Sequence, residues 1–74
     1  MAVSDDRRLH AARFAKKLKA LRARSGLTQE ALAEKADVSA IYVRQVEAAK
    51  RLPSVAVADA LRKALKATWE ELMG

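Results

Sequence analysis

The sequence predicts an all-α fold of five helices, and three observations carry that reading. Ala, Leu, Lys, Arg and Glu, all good helix formers, are abundant. The only strong breakers are Gly26, Gly74 and Pro53. Apolar residues recur at helical spacing, and no β-branched alternation is long enough to make a strand. The 74 residues are expected to form one domain, 1–74, with no repeat, linker or low-complexity tract. A core this thin is marginally stable, and self-association is the natural support.

The first helix is expected from about Asp6 to Arg24. Ser4, Asp5 and Asp6 offer caps and negative charge at its start. Ala11, Phe14, Ala15, Leu18 and Leu21 form its apolar stripe, and Gly26 ends it. Thr28 caps a short second helix that ends near Asp37, with Leu32 and Ala36 on one face. Ser39 caps a third helix through about Glu47. So few residues separate these two helices that they must cross steeply. A loop at Lys50–Pro53 follows, and Ser54 caps a fourth helix through about Leu65. Its expected buried set is Val57, Leu61, Ala64 and Leu65. Thr68 and Glu71 have the spacing of a capping box for a last turn of helix, Trp69 to Met73.

Composition excludes several kinds of function. There is no cysteine and a single histidine, His10, so neither a disulfide nor a metal site is expected. No nucleophile–base pair or carboxylate dyad can be assembled, so an enzyme is not expected, nor a cofactor. No apolar run approaches the ~18 residues of a membrane span. The N-terminus, MAVSDDRRLH, lacks the apolar stretch of a signal peptide, and a cytoplasmic protein is expected. The formal charge is +6, and its distribution matters more than its size. Residues 1–24 carry eight Lys or Arg against two Asp, whereas residues 25–74 balance seven against seven. A basic first helix suits a polyanion such as nucleic acid, and it equally suits a solvated helix.

The stretch GLTQEALAEKADVSAIYVRQVE, followed by Arg51-x-Pro53-Ser54, resembles the signature of the Cro and lambda-repressor-like helix-turn-helix regulators. The helix-turn-helix would span residues 29–48, and the five-helix order matches from about Phe14 to Leu72. Small Ala33 sits where the two helices would cross, and Leu32, Ala36, Val38, Val43 and Val46 supply the core beneath them. Two departures stand out. Asp37 occupies a turn position where the family often has glycine, and Ala48-Ala49-Lys50 follows Glu47 where the family often has glycine too. The second departure leads to the expectation that the third helix runs slightly longer.

The resemblance implies that the second helix crosses the DNA backbone while the third reads bases in the major groove of a double-stranded operator. It places Gln29, Ala40, Ile41, Arg44 and Gln45 at base edges, and Ser39 and Tyr42 near the sugar–phosphate edge. The chemistry suits those places. Arg44 can pair with guanine and Gln45 with adenine, and Ala40 or Ile41 can pack on a thymine methyl. Arg44 as a phosphate clamp and Tyr42 as half-buried packing remain open alternatives. Lys50, Arg51, Lys35 and Arg13 are candidates for phosphate contact. The resemblance also implies an ion pair of Arg22 with Glu47, tying the first helix to the end of the third; two unrelated surface charges is the plainer alternative.

One reading helix covers few base pairs, and such proteins usually dimerise to place two about one DNA turn apart. The expected dimerisation region is about 52–74, with Val55, Leu61, Trp69, Leu72 and Met73 as its apolar surface. Trp69 is either core or interface, and Leu9 joins this region or covers the open end of the core. Within the family the chain resembles most the controller proteins of restriction–modification systems. That resemblance implies a homodimer, with two dimers binding cooperatively, that first activates and then represses transcription. It also implies contact with RNA polymerase through Glu30 and Glu34, for which capping and a solvated face are the plainer roles. Phage Cro-like repressors and antitoxins are the alternatives inside the family. A helical interaction module that binds no DNA is the alternative outside it.

Overall fold

The computed structural model describes residues 2–74, with side chains from Asp6 onward. Five α-helices follow in order: α1 (Ala2–Ser25), α2 (Gln29–Ala36), α3 (Ala40–Glu47), α4 (Val55–Leu65) and α5 (Trp69–Met73). Among the described residues there is no strand.

The N-terminal caps follow the local chemistry of the sequence. Thr28, Ser39, Ser54 and Thr68 each take an extended backbone, and each side chain accepts a backbone N–H from the first turn of its helix. At α5 the capping box is complete: the Glu71 carboxylate accepts the Thr68 N–H at 2.9 Å, and Thr68 Oγ1 accepts the Glu71 N–H at 3.0 Å.

The start of α1 differs from the sequence expectation. The helix begins at Ala2, so Asp6 lies inside it rather than capping it. Nothing between Ala2 and Asp6 breaks a helix, and a residue that can cap need not do so. The side chains of Ser4 and Asp5 lie outside the described residues. At ~1.5 Å per residue, the 24 residues of α1 account for the 37 Å long axis of the molecule.

The C-terminal ends share one device. After α1, α2, α3 and α4 the chain turns through a left-handed residue, namely Gly26 (φ 71°), Asp37 (φ 59°), Ala49 (φ 61°) and Lys66 (φ 55°). Each turn carries the same pair of backbone bonds, as in Ala49 N–H to Val46 O at 3.0 Å and Lys50 N–H to Gln45 O at 2.9 Å. This is the Schellman pattern, which satisfies the last carbonyls of a helix and usually takes glycine. The third helix therefore does not run longer for lack of a glycine. It ends at Glu47, and Ala49 accepts the left-handed conformation instead.

α2 packs on α3 and α4, while α1 lies across α3 and α5 and touches α4. Phe14, Leu18 and Leu21 of α1 meet Leu32, Ala33, Ala36, Val43, Val46, Ala58, Leu61, Leu65, Ala67 and Leu72 in one core. Ala33 is buried at the α2–α3 crossing, where a small side chain allows close approach. Leu61 and Leu72 are fully buried within the chain, which corrects their assignment to a dimer surface. They lie on the inner faces of α4 and α5 and complete the core. Among the described side chains of α1 the first buried one is Ala11, and Asp6 to His10 are exposed, so this stretch of the helix stands clear of the core. Among the described residues, no helix is long and apolar enough to cross a membrane, and no His, Cys, Asp or Glu group is arranged to hold a metal.

Candidate nucleic-acid interface

α3 has two faces of different character. Val43, Val46 and Glu47 are buried, one turn apart on the inner side. Ile41 is 61% exposed and the Arg44 side chain 53%, while Ala40, Tyr42 and Gln45 are half-buried beside them. This face is built by helical periodicity alone: fixing Val43 and Val46 in the core turns 41, 44 and 45 outward.

What holds the helix at its angle is an ionic cluster centred on Glu47, the one buried charged residue among the described ones. Arg22 donates from Nε at 2.6 Å and from Nη2 at 3.0 Å to the two carboxylate oxygens. Gln29 Nε2 donates to the same carboxylate at 2.9 Å, and Arg22 Nη1 donates to the Leu27 carbonyl at 2.9 Å. One carboxylate thus ties α1, α2 and the α1–α2 turn to the end of α3. The two-pronged geometry matters because a buried charge is tolerated only when its bonding capacity is filled. The Glu47 hydrogen bond also pushes the Arg22 guanidinium further toward its charged form, against the desolvation of burial. No buried side-chain polar atom lacks a partner among the described residues.

The exposed face carries its own contacts. Arg44 Nη2 donates to Glu30 Oε2 at 3.3 Å, linking α3 to the first turn of α2. Arg51 Nε donates to Gln45 Oε1 at 2.9 Å, and its guanidinium lies 5.0 Å from the centroid of the Tyr42 ring. Gln45 is thereby engaged through its amide oxygen, and Tyr42 is both half-buried packing and the platform for Arg51. Ser39 Oγ accepts the Tyr42 N–H at 3.1 Å as the helix cap. Gln29, at the start of α2, is half-buried and bonded to Glu47.

The structure brings most of the sequence candidates together at this face, with three set apart. Lys35 is exposed in the last turn of α2, and Lys50 is exposed just past α3. Arg13 lies elsewhere: it lines a groove of about 420 Å³ formed by α1, the loop after α3, α4 and α5. Leu52, Val55, Trp69 and Met73 line the same groove. These four are the large apolar side chains left open on that side, from 79% exposed at Val55 to 40% at Trp69. Arg62 stacks its guanidinium over the Trp69 ring at 5.0 Å and pairs with Asp59 at 2.7 Å, so the indole is half-covered by its own chain. Leu9 is also exposed and covers no part of the core.

Sequence reasoning missed the role of Gln29 as a Glu47 ligand, the Arg44–Glu30 pair and the Arg51 contacts to Gln45 and Tyr42. None leaves a local signal, because each joins residues on different elements. Arg24 with Glu71 at 3.0 Å is of the same kind.

The family described as "Helix-turn-helix domain" matches residues 13–73. Among solved structures, the chain is similar to the restriction-modification controller protein C.AhdI from Aeromonas hydrophila. The TM-score is 0.81 at 34% identity, over 84% of this chain and 94% of that one. It is also similar to an HTH_3 family transcriptional regulator from Vibrio cholerae, with TM-score 0.85 at 26% identity over 89% of this chain; it spans 37% of that longer protein. The search of curated proteins returned no match. The matched stretch holds the four N-terminal caps and the core residues from Phe14 to Leu72, and the chain belongs to the helix-turn-helix domain family of DNA-binding regulators, with a structure like that of a restriction–modification controller protein.

Proposed function

We propose that this protein is a homodimeric transcriptional regulator that binds an operator upstream of its own gene and serves as the controller of a restriction–modification system. The observation that carries the reading is the exposed Ile41–Arg44–Gln45 face, on a helix locked to its scaffold by Arg22 and Gln29 through Glu47. A base-reading helix must present side chains outward at a fixed angle, and this arrangement supplies both. The likeness to a controller protein over 94% of its length supports the subtype.

In this reading α3 enters the major groove. Arg44 leaves Glu30 to pair with guanine, and Gln45 reads adenine with Arg51 behind it. Ala40 and Ile41 meet thymine methyls, and Gln29 reaches a base or phosphate at the groove edge. Ser39, Tyr42, Lys35, Lys50 and Arg51 lie against the sugar–phosphate backbone. Two copies join through Leu52, Val55, Trp69 and Met73, whose apolar side chains the single chain leaves open to solvent. Two dimers bound cooperatively would activate transcription at low occupancy and repress it at high occupancy. RNA polymerase would be met by α2, with Glu34 freer than Glu30, which Arg44 engages.

The test is binding of the purified protein to DNA upstream of its gene, at two salt concentrations, beside a scrambled duplex and an Arg44→Ala, Gln45→Ala variant. Tight, salt-sensitive, selective binding that the variant loses supports the reading. Equal weak binding to both duplexes removes sequence specificity, and no binding at either salt returns the chain to the non-DNA interaction modules.

A further inference from the structure

Arg7, Arg8, Lys50 and Arg51 line one shallow concavity of about 290 Å³, with Ala11 and Ala49 among its lining residues. Two of the cations belong to the exposed end of α1, ahead of residues 13–73 that the family matches. The other two come from the turn after α3. Among the described residues, no acidic side chain lines the concavity and none of the four cations forms an ion pair. The rim is continuous with the reading face, because Arg51 is bonded to Gln45 and stacked on Tyr42.

Two backbone features build this juxtaposition. The left-handed turn at Ala49 reverses the chain after α3 and brings Lys50 and Arg51 back toward α1. The extension of α1 back to Ala2 carries Arg7 and Arg8 past the edge of the core to meet them. The small side chains of Ala11 and Ala49 leave the concavity open. Four like charges around a concavity that no described carboxylate lines repel one another, and a polyanion relieves that repulsion.

The geometry points to a phosphate cradle: Arg7 and Arg8 hold DNA backbone phosphates next to those met by Lys50 and Arg51, lengthening the footprint beyond the half-site that α3 reads. The inference rests on the operator-binding reading. Guanidinium groups suit the role because their planar fork takes phosphate oxygens two at a time. Such contacts position the protein and carry no sequence information. They therefore add affinity and salt dependence equally on any sequence.

The experiment measures affinity against salt for the wild type, an Arg7→Gln, Arg8→Gln variant, and a Lys63→Gln, Lys66→Gln variant that loses the same charge at the far end of α4. Both arginines are exposed in a helix that glutamine continues, so the fold is kept. The arginine variant should lose about two units of slope per subunit, about four per dimer, in log affinity against log salt. It should do so equally on operator and scrambled duplex, while the lysine variant keeps the wild-type slope. Replacing the flanking phosphates by uncharged methylphosphonates should weaken the wild type and leave the arginine variant unchanged. If the two variants have the same slope, the cradle is overturned and operator binding stands. If the wild type binds no duplex at all, the operator reading falls and takes the cradle with it.

Discussion

Arg22 and Glu47, 25 positions apart, meet through two hydrogen bonds of 2.6 and 3.0 Å at the end of α3. The Glu47 side chain is 2% exposed and that of Arg22 19%, so the pair is shielded on the carboxylate side. Removing one partner of such a pair leaves a buried charge without its counter-ion, which costs about 3 kcal/mol. Glu47→Ala should therefore lower the melting temperature by well over 10 °C, given ~4–8 °C per kcal/mol in a domain this small. Arg22→Ala, which strands the more deeply buried carboxylate, should cost at least as much. The double variant should be clearly less damaged than the two single losses added together. Thermal melts of the three variants check this, and simple additivity would show that the pair carries no coupling.

The three left-handed residues other than glycine make a second prediction. An L residue with a Cβ is disfavoured there by about 1 kcal/mol, and glycine removes the clash. Ala49→Gly and Lys66→Gly should each raise stability by somewhat less than that, because glycine also gains freedom in the unfolded chain. Asp37→Gly should gain least, since Asp tolerates this conformation better. Denaturant midpoints measure all three. A loss of stability in Ala49→Gly would mean that the Ala49 side chain contributes packing that outweighs the strain.

The same residues show what the sequence could and could not convey. Helix starts were legible because Thr28, Ser39, Ser54 and Thr68 act on their own first turn, within three residues. The ends of α3 and α4 fall at Glu47 and Leu65 as expected, but the left-handed turns at Ala49 and Lys66 that close them were not legible, because a backbone hydrogen-bond pattern overrode residue preference. Periodicity marked Leu61 and Leu72 as apolar on one face, and could not say whether their neighbours come from the same chain. The resemblance pointed to Arg22 and Glu47 but not to Gln29, whose bond to Glu47 exists only once α2 and α3 have crossed. Arg7 and Arg8 read as part of a general basic bias until the α1 extension and the Ala49 turn set them beside Lys50 and Arg51.

Stability should be flat through neutral pH and fall only in acid. The Asp59 carboxyl titrates below its ordinary range, first because Arg62 donates a hydrogen bond to it, with Lys63 helping and desolvation opposing. Glu71 is lowered first by the Thr68 backbone N–H and then by Arg24. A folded pKa below the unfolded one contributes stability that is complete above the unfolded value, about pH 4, and is lost as pH falls through the folded value. Urea midpoints should thus hold from pH 7 to 5 and drop below about pH 4. An Asp59→Asn, Glu71→Gln variant should drop less steeply. A decline already evident between pH 7 and 5 would assign the dependence to other groups.

Core and interface residues on α4 and α5 should separate cleanly by experiment. Leu61→Ala removes a fully buried side chain and should cost about 3 kcal/mol of stability. Val55→Lys changes a side chain that is 79% exposed, so the single chain should keep its helix content. If Val55, Trp69 and Met73 form the dimer surface, Val55→Lys and Met73→Lys should shift the mass in light scattering from two chains to one. Operator affinity should fall steeply with it. Wild type of single-chain mass at operator-binding concentrations would remove the dimer reading.

If Arg44 pairs with guanine as proposed, it cannot serve Glu30 at the same time, and that competition is measurable. The pair is exposed on both sides and 3.3 Å long, so it is worth at most about 1 kcal/mol. Glu30→Gln frees the guanidinium and removes a negative charge from the surface facing DNA, while Thr28 still caps α2. Operator binding should tighten, by up to about fivefold from releasing the pair. Binding to a scrambled duplex should tighten less, because only the operator offers Arg44 its base. In an Arg44→Ala background the same substitution should lose that operator-specific gain. An equal gain on both duplexes, unchanged by Arg44→Ala, would show that Glu30 acts only as a repelling charge and that Arg44 reads no base.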